Sequence, residues 1–337
     1  MIQEAIAKAV RKENLSKEQS KQVFDEIMKG QATQVQIGSF ITALATKGES
    51  ADEIAGAAYS LQEHMQRVEC TKSTDILDIV GTGGDGKGSF NVSTAAAIVA
   101  AGAGCIVAKH GNRGFSSKSG SADVLEALGV NVQTTPARNS QILSKIGFVF
   151  LFAPLHHPAM KYASAPRKEI GIRTIFNIIG PLSNPASAST YLIGTYSEDI
   201  AKNIARALLL MNVKKALVVT GSGYDEATLS GKSIIFEVQN GNIVRKEFTP
   251  QSFGFSISRE DEFSISNPQE SAKIIIGILE GNESGPRRDI VVLNAGLGIY
   301  ANGVAKTMQE GIELAKKSID SRKALSKLGE LVEESNK

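Results

Sequence analysis

Up to about residue 68 the apolar positions recur every three to four residues, the period of an amphipathic helix. After Ser50, the residues Ile54, Ala58, Leu61 and Met65 fall on one face of such a helix. Ser16-x-x-Gln19 and Ser50-x-x-Glu53 have the form of capping boxes. In that motif a hydroxyl and a longer polar side chain satisfy amides left free at a helix start. Gly30 and Gly48 stand where these helices should stop. The pattern predicts a small helical unit.

From about Thr74 the period changes. Ile76–Val80, Cys105–Ala108, Phe148–Phe152, Ala216–Thr220 and Ile290–Leu293 are short apolar runs that read as buried strands, and Val130–Val132 reads as extended. Thr94–Ala103 and Ala122–Leu128 between them read as helices. Strands alternating with helices predict an α/β fold with a mostly parallel sheet covered on both faces. Ser233–Val238 and Ile243–Phe248, joined through Asn240-Gly241, read as a β-hairpin with a tight turn. Val304–Val332 reads as a helical, mixed-charge tail.

The composition narrows the class. The 337 residues carry 37 Lys and Arg against 35 Asp and Glu, a net charge of +2. A dedicated nucleic-acid binder carries a clear basic excess, so no nucleic-acid partner is expected. Charges at Glu4, Lys8, Arg11, Lys12 and Glu13 break any apolar run in Met1–Leu15, so no secretory signal is expected there. No run approaches the roughly 20 apolar residues of a membrane-spanning helix, so no membrane partner is expected. Cys70 and Cys105 fit no metal spacing and read as reduced thiols of a cytoplasmic protein.

Two glycine-rich stretches carry the chemistry. The first runs from Gly81 to Thr94, with four glycines between Gly81 and Gly86, and the second from Lys109 to Ser121. Glycine lets backbone amides approach an anion closely, and the Lys, Arg, Ser and Asn residues add charge and donors. Two such loops point to a ligand with more than one phosphate group. Gly81, Gly83 and Gly86 also satisfy the dinucleotide fingerprint, but no carboxylate follows in Gly104–His110 to hold a ribose. Gly81 to Lys87 satisfies most of an NTPase phosphate loop, but Gly88 stands where the metal-binding hydroxyl belongs. What remains is a strand end, a glycine loop and a helix start whose dipole attracts an anion. Asp85 in that loop would repel phosphate unless it meets a cation or a hydroxyl donor.

The second loop makes a resemblance specific. Gly81-Thr-Gly-Gly-Asp85, Asn91-Val-Ser-Thr94, Lys109-His-Gly-Asn-Arg113 and Ser119–Gly129 resemble anthranilate phosphoribosyltransferase motifs. So do His157–Lys161, Arg167–Asn177, Gly180–Pro185 and Gly223-Tyr-Asp-Glu226, in the family's order across essentially the whole chain. Gly114-Phe115 departs from the small apolar pair expected there. The resemblance implies the nucleoside phosphorylase/phosphoribosyltransferase class III architecture. A small helical domain spans 1–68, joined by helices of about 165–187, and a phosphoribosyl-diphosphate domain spans 72–337. It also implies a cytoplasmic homodimer, a Mg2+ requirement, and the substrates anthranilate and 5-phosphoribosyl 1-diphosphate of tryptophan biosynthesis.

By that resemblance the phosphoribosyl donor meets Gly81, Gly84, Asp85, Ser89, Asn91, Val92, Ser93 and Thr94 from the first loop. From the second it meets Lys109, His110, Gly111, Asn112, Arg113, Gly114, Phe115, Ser116, Ser117 and Ser121. Anthranilate meets Gly81, Asn112, His157 and Arg167, and metal meets Ser93, Asp225 and Glu226. No residue is assigned as acid or base. Asp225-Glu226 also reads as a helix cap before Ala227, and Arg167 as a surface ion pair beside Glu169. Arg173 is an alternative carboxylate contact. Two competing readings are a pyrimidine nucleoside phosphorylase of the same fold and a non-catalytic nucleic-acid-binding homologue. The first would not need the Asp225-Glu226 pair or a carboxylate-binding arginine, and the second should show eroded glycine loops and a basic excess, neither of which is seen.

Overall fold

The computed structural model describes residues 1–72, 75–114 and 118–337. The helices Ile2–Val10, Lys17–Met28, Gln34–Lys47 and Ala51–Glu63 form the N-terminal unit. Both expected capping boxes close, and Thr33 with Gln36 forms a third. Phe24, Phe40, Ile41 and Leu44 are fully buried in its core. Glu53 is buried as well, tolerated because Lys47 Nζ donates to it at 2.8 Å and the Leu15 amide at 2.9 Å. A buried carboxylate needs that pairing. The helices Lys161–Ile170 and Ile175–Ile179, far along the chain, pack onto this unit.

The remainder is built on a seven-stranded sheet. Its strands are β1 (Ile76–Gly81), β2 (Ile106–Gly111), β3 (Phe148–Phe152), β4 (Thr190–Gly194), β5 (Lys215–Gly221), β6 (Ser233–Gln239) and β7 (Asn242–Phe248). Their order is β3-β2-β1-β4-β5-β6-β7, parallel through β5 and antiparallel for the last two pairs. The architecture is therefore the expected helical unit plus an α/β unit with a mostly parallel sheet. The hairpin closes as expected, with Asn240 and Gly241 both at positive φ. Helix Glu198–Leu210 packs on β5 and β6 and also on Ala51–Glu63, and so joins the two units.

Three details differ from the sequence reading. Ile290–Leu293 is not a strand but lies inside the helix Pro286–Asn302, which is buried along most of its length. A helix enclosed on every side and a central strand show the same unbroken apolar run. Val130–Val132 pairs with no strand; Val130 and Val132 anchor a turn in the core instead. β4 was not anticipated, because five residues bracketed by serine and glycine give too short a run.

Candidate active site

The parallel strands β1, β2, β4 and β5 each end in a glycine: Gly81, Gly111, Gly194 and Gly221. A Cβ on any of these four would come closer than 3.0 Å to another residue, which real Cβ atoms do not tolerate. At Gly81 it would strike the Asp225 carboxylate, at Gly194 the Asp225 carbonyl, at Gly221 the Glu226 carbonyl, and at Gly111 the Ser121 hydroxyl. The strand ends thus give up side-chain volume so that the 225–226 segment and Ser121 can lie directly on them. Ligands of open α/β sheets bind beyond these carboxyl ends.

Three carboxylates gather around the first glycine loop. The Gly83 amide donates to Asp225 Oδ2 at 2.7 Å, and Ser89 Oγ donates to Glu226 Oε1 at 3.4 Å. Asp85 Oδ1 accepts from the Lys87 amide at 3.1 Å, while its Oδ2 is buried with no partner among the described residues. Burial and then the Asp85 charge push the Asp225 carboxyl up to about 6, although the residue stays partly open. Burial, then Asp225 and Asp85, push Glu226 well above the carboxylate range. No helix begins at Ala227, so the capping role for this pair does not apply. An orphaned carboxylate oxygen beside two carboxylates whose charge is disfavoured by burial and by one another is a hard-oxygen donor set, which suits Mg2+. Among the described residues no three His, Cys, Asp or Glu side chains form a closed metal cage. Mg2+ commonly takes one or two carboxylates and completes its shell with substrate phosphate and water.

Beneath this cluster Lys109 is buried, with Nζ donating to the Ile79 carbonyl at 2.7 Å and to Ser93 Oγ at 3.4 Å. Burial lowers its ammonium to about 8, against the opposing pull of Asp78 and Asp225. Ser93 thus faces Lys109. Val92 and Thr94 are buried in the first turn of helix Val92–Gly102, and the Thr94 hydroxyl has no partner among the described residues. Asn91 is committed to structure: its amide donates to the Ser119 carbonyl at 3.1 Å, and its Oδ1 accepts from Ser119 and Ser271 at 2.7 and 2.8 Å. It ties the two glycine loops together.

The second loop is braced outward. Arg113 pairs with Asp123 and Glu126, at 3.0 and 2.6 Å, and the Gly114 amide donates to Asp123 at 2.9 Å. Ser121 Oγ donates to the Asn112 carbonyl at 3.2 Å, and Asn112 Oδ1 accepts from the Arg113 amide. Gly84 lies in the first loop at positive φ. Phe115, Ser116 and Ser117 lie outside the described residues.

On the other side of β2, His110 and His157 face each other with ring centroids 5.0 Å apart, both buried. Among the described residues, His110 Nε2 and both ring nitrogens of His157 lack hydrogen-bond partners. Burial first, then the neighbouring imidazoles, holds His110 well below its ordinary value and His157 at about 4; the nearby Ser183 backbone opposes this for His157 without reaching hydrogen-bond geometry. Both rings are neutral at pH 7. Arg167 forms no ion pair with Glu169 or any other described residue; its guanidinium lies 5.2 Å from the Phe176 ring centre. Two buried residues were missed in the sequence. Asp78 accepts from the His110 amide at 3.2 Å and from Asn184 Nδ2 at 2.7 Å, and Asn184 also donates to the Ala108 carbonyl. They lock the middle of β1 and β2 to the segment after Gly180.

Residues 3–65 match the glycosyl transferase family helical bundle domain, and residues 73–325 match the glycosyl transferase family a/b domain. An anthranilate phosphoribosyltransferase from Pelotomaculum thermopropionicum is 49% identical, over 99% of this chain and 96% of its own. A solved anthranilate phosphoribosyltransferase from Thermus thermophilus is 39% identical with a TM-score of 0.93, covering 99% of both chains. The Saccharomyces cerevisiae enzyme, solved in complex with PRPP and Mg, is 29% identical with a TM-score of 0.91, covering 99% of this chain and 98% of that one. The chain belongs to the anthranilate phosphoribosyltransferase family.

Proposed function

We propose that this chain transfers the phosphoribosyl group of 5-phosphoribosyl 1-diphosphate to the amine of anthranilate. The products are N-(5-phosphoribosyl)anthranilate and diphosphate, a step of tryptophan biosynthesis. The observation that carries the reading is the pairing of Asp225 and Glu226 with glycine strand ends above a buried Lys109. A phosphorylase that binds inorganic phosphate has no need of such an acidic pair. The family membership and the relatives' names support the same choice.

In this reading the C1–O bond breaks toward diphosphate and the amine nitrogen takes C1. The difficulty is charge on the departing diphosphate and oxocarbenium character on the sugar, so electrostatic positioning does most of the catalysis. Loop amides from Gly81 to Ser89 and the start of helix Val92–Gly102 face the diphosphate. Lys109 supplies positive charge from below. Asp225 and Glu226, with Ser93, would hold Mg2+, which neutralises the diphosphate when bound. Arg167, without an ion pair among the described residues and lying against Phe176, suits the anthranilate carboxylate. Neutral His157 lines the acceptor side, with the neutral His110 ring of the donor set against it, so neither adds charge, and a strong general base is not required for an aromatic amine. The helical domain of this reading spans 1–68 with the helices of 165–187; the donor domain spans 72–337. A cytoplasmic homodimer completes it, in keeping with Cys70 and Cys105 as free thiols.

Calorimetry with Mg2+ present tests the donor side. 5-Phosphoribosyl 1-diphosphate is expected to bind, while NAD and ATP are not. Tight NAD or ATP binding without binding of the phosphoribosyl donor would overturn the reading.

A further inference from the structure

Arg167 and Arg173 are six residues apart, and neither has an ion-pair partner among the described residues. The chain between them sends the two guanidiniums to different places. Gly171, left-handed at φ 66, ends helix Lys161–Ile170, and Thr174 is extended before the next helix. Arg167 therefore stays with the helical unit, on Phe176, whose ring meets Phe24 edge-on at 5.5 Å. Arg173 instead reaches the α/β unit. Its guanidinium lies 4.0 Å from the ring centre of Tyr196, two residues beyond the end of β4.

There it lies across the first glycine loop. A Cβ on Gly84 would sit 2.8 Å from Arg173 Nε and 3.2 Å from Cζ and one terminal nitrogen. Gly84 is thus doubly required, by its φ of 76 and by the guanidinium lying over it. Two of the loops' own cations are spent on acidic neighbours, while Lys118 is exposed without an ion pair among the described residues. Lys87 pairs with Glu260 at 2.9 Å, and Arg113 pairs with Asp123 and Glu126. Lys109 is buried below. A ligand with several phosphate charges needs more, and a flat guanidinium preorganised by stacking is suited to phosphate.

We propose that Arg173 binds the diphosphate end of the phosphoribosyl donor, closing over Gly84, and leaves the acceptor carboxylate to Arg167. This deepens the function proposed above and rests on it. Because Arg173 stems from the segment packed on the helical unit, it also brings that unit onto the donor.

The test uses the full-length chain with Mg2+ and the variants Arg173→Ala, Arg173→Lys and Arg167→Ala. Calorimetry gives the Kd for 5-phosphoribosyl 1-diphosphate and for inorganic diphosphate; steady-state kinetics give the KM for anthranilate at saturating donor. Arg173→Ala is expected to weaken both phosphate ligands about tenfold or more, about 1.4 kcal/mol, with the anthranilate KM moving less than about twofold. Arg173→Lys keeps the charge and should recover part of the loss. Arg167→Ala should show the reverse split. Unchanged diphosphate binding in Arg173→Ala, or an anthranilate KM that rises as much as the donor Kd, would overturn the assignment. If the alanine variant does not fold, donor affinity in Arg173→Lys decides: an unchanged Kd sinks the proposal. A wild-type chain that binds neither phosphate ligand would instead sink the functional reading itself.

Discussion

Gly81→Ala is the sharpest steric probe of the site. Gly81 is not at positive φ, so alanine brings no backbone strain. Its new methyl would overlap the Asp225 carboxylate, which must retreat by about 1 Å to reach ordinary contact. That retreat breaks the 2.7 Å bond from the Gly83 amide. A hydrogen bond to a charged group is worth about 1.5–3 kcal/mol, so activity should fall about tenfold to a hundredfold. Overpacking of this kind costs about 1–3 kcal/mol of stability, which for a chain of this length lowers Tm by only about 1–4 °C. The protein should remain folded while Mg2+-supported turnover drops. The control is a double-mutant cycle. In an Asp225→Ala background the obstruction is gone, so Gly81→Ala should cost less than about 0.5 kcal/mol of further stability and little further activity. Turnover kinetics with Mg2+ titration and thermal melts on all four proteins read the cycle. Additive losses would refute the argument, because they would mean that Gly81→Ala does not act through Asp225.

Three further outcomes are expected. Asp225→Asn with Glu226→Gln should abolish most Mg2+-dependent turnover while the fold survives; circular dichroism and metal titration check this, and unaltered metal dependence contradicts it. Arg167→Ala should raise the anthranilate KM about tenfold to a hundredfold, since a guanidinium with no ion pair among the described residues is free for the acceptor; an equal loss for donor and acceptor in steady-state kinetics would point to a structural role. His157 has a folded pKa near 4, below its unfolded value. Its contribution to stability is therefore complete above about pH 6.5 and is lost as pH falls toward 4, by about 3 kcal/mol in total. Denaturant melts across that window should show the loss, His157→Asn should blunt it, and an unchanged slope in the variant would refute the assignment.

Local features of the site were legible because their causes are local. The capping boxes at Ser16 and Ser50, the Asn240-Gly241 turn and the two glycine loops each state a backbone requirement within a few residues. Ile290–Leu293 was misread because an enclosed helix and a central strand share one apolar pattern. β4 was too short to stand out. The deeper gaps concern distance along the chain. The Gly83 amide and Asp225 are 142 residues apart, and Asp78 and Asn184 are 106 apart. No period or spacing relates them; only the parallel pairing of β1 with β4 and of β4 with β5 does. The same holds for Arg113, whose turn toward Asp123 and Glu126 depends on helix Ser121–Ala127, and for the glycine at the end of β4. That glycine looks like a plain strand stop until Asp225 is seen lying on it.

The most direct measurement is turnover itself. The purified chain, given anthranilate, 5-phosphoribosyl 1-diphosphate and Mg2+, should consume anthranilate fluorescence and release diphosphate in equal amounts, and chelation of the metal should stop both. Absence of that reaction, with phosphorolysis of thymidine or uridine in its place, would contradict the account and move the chain to the phosphorylase branch of the fold.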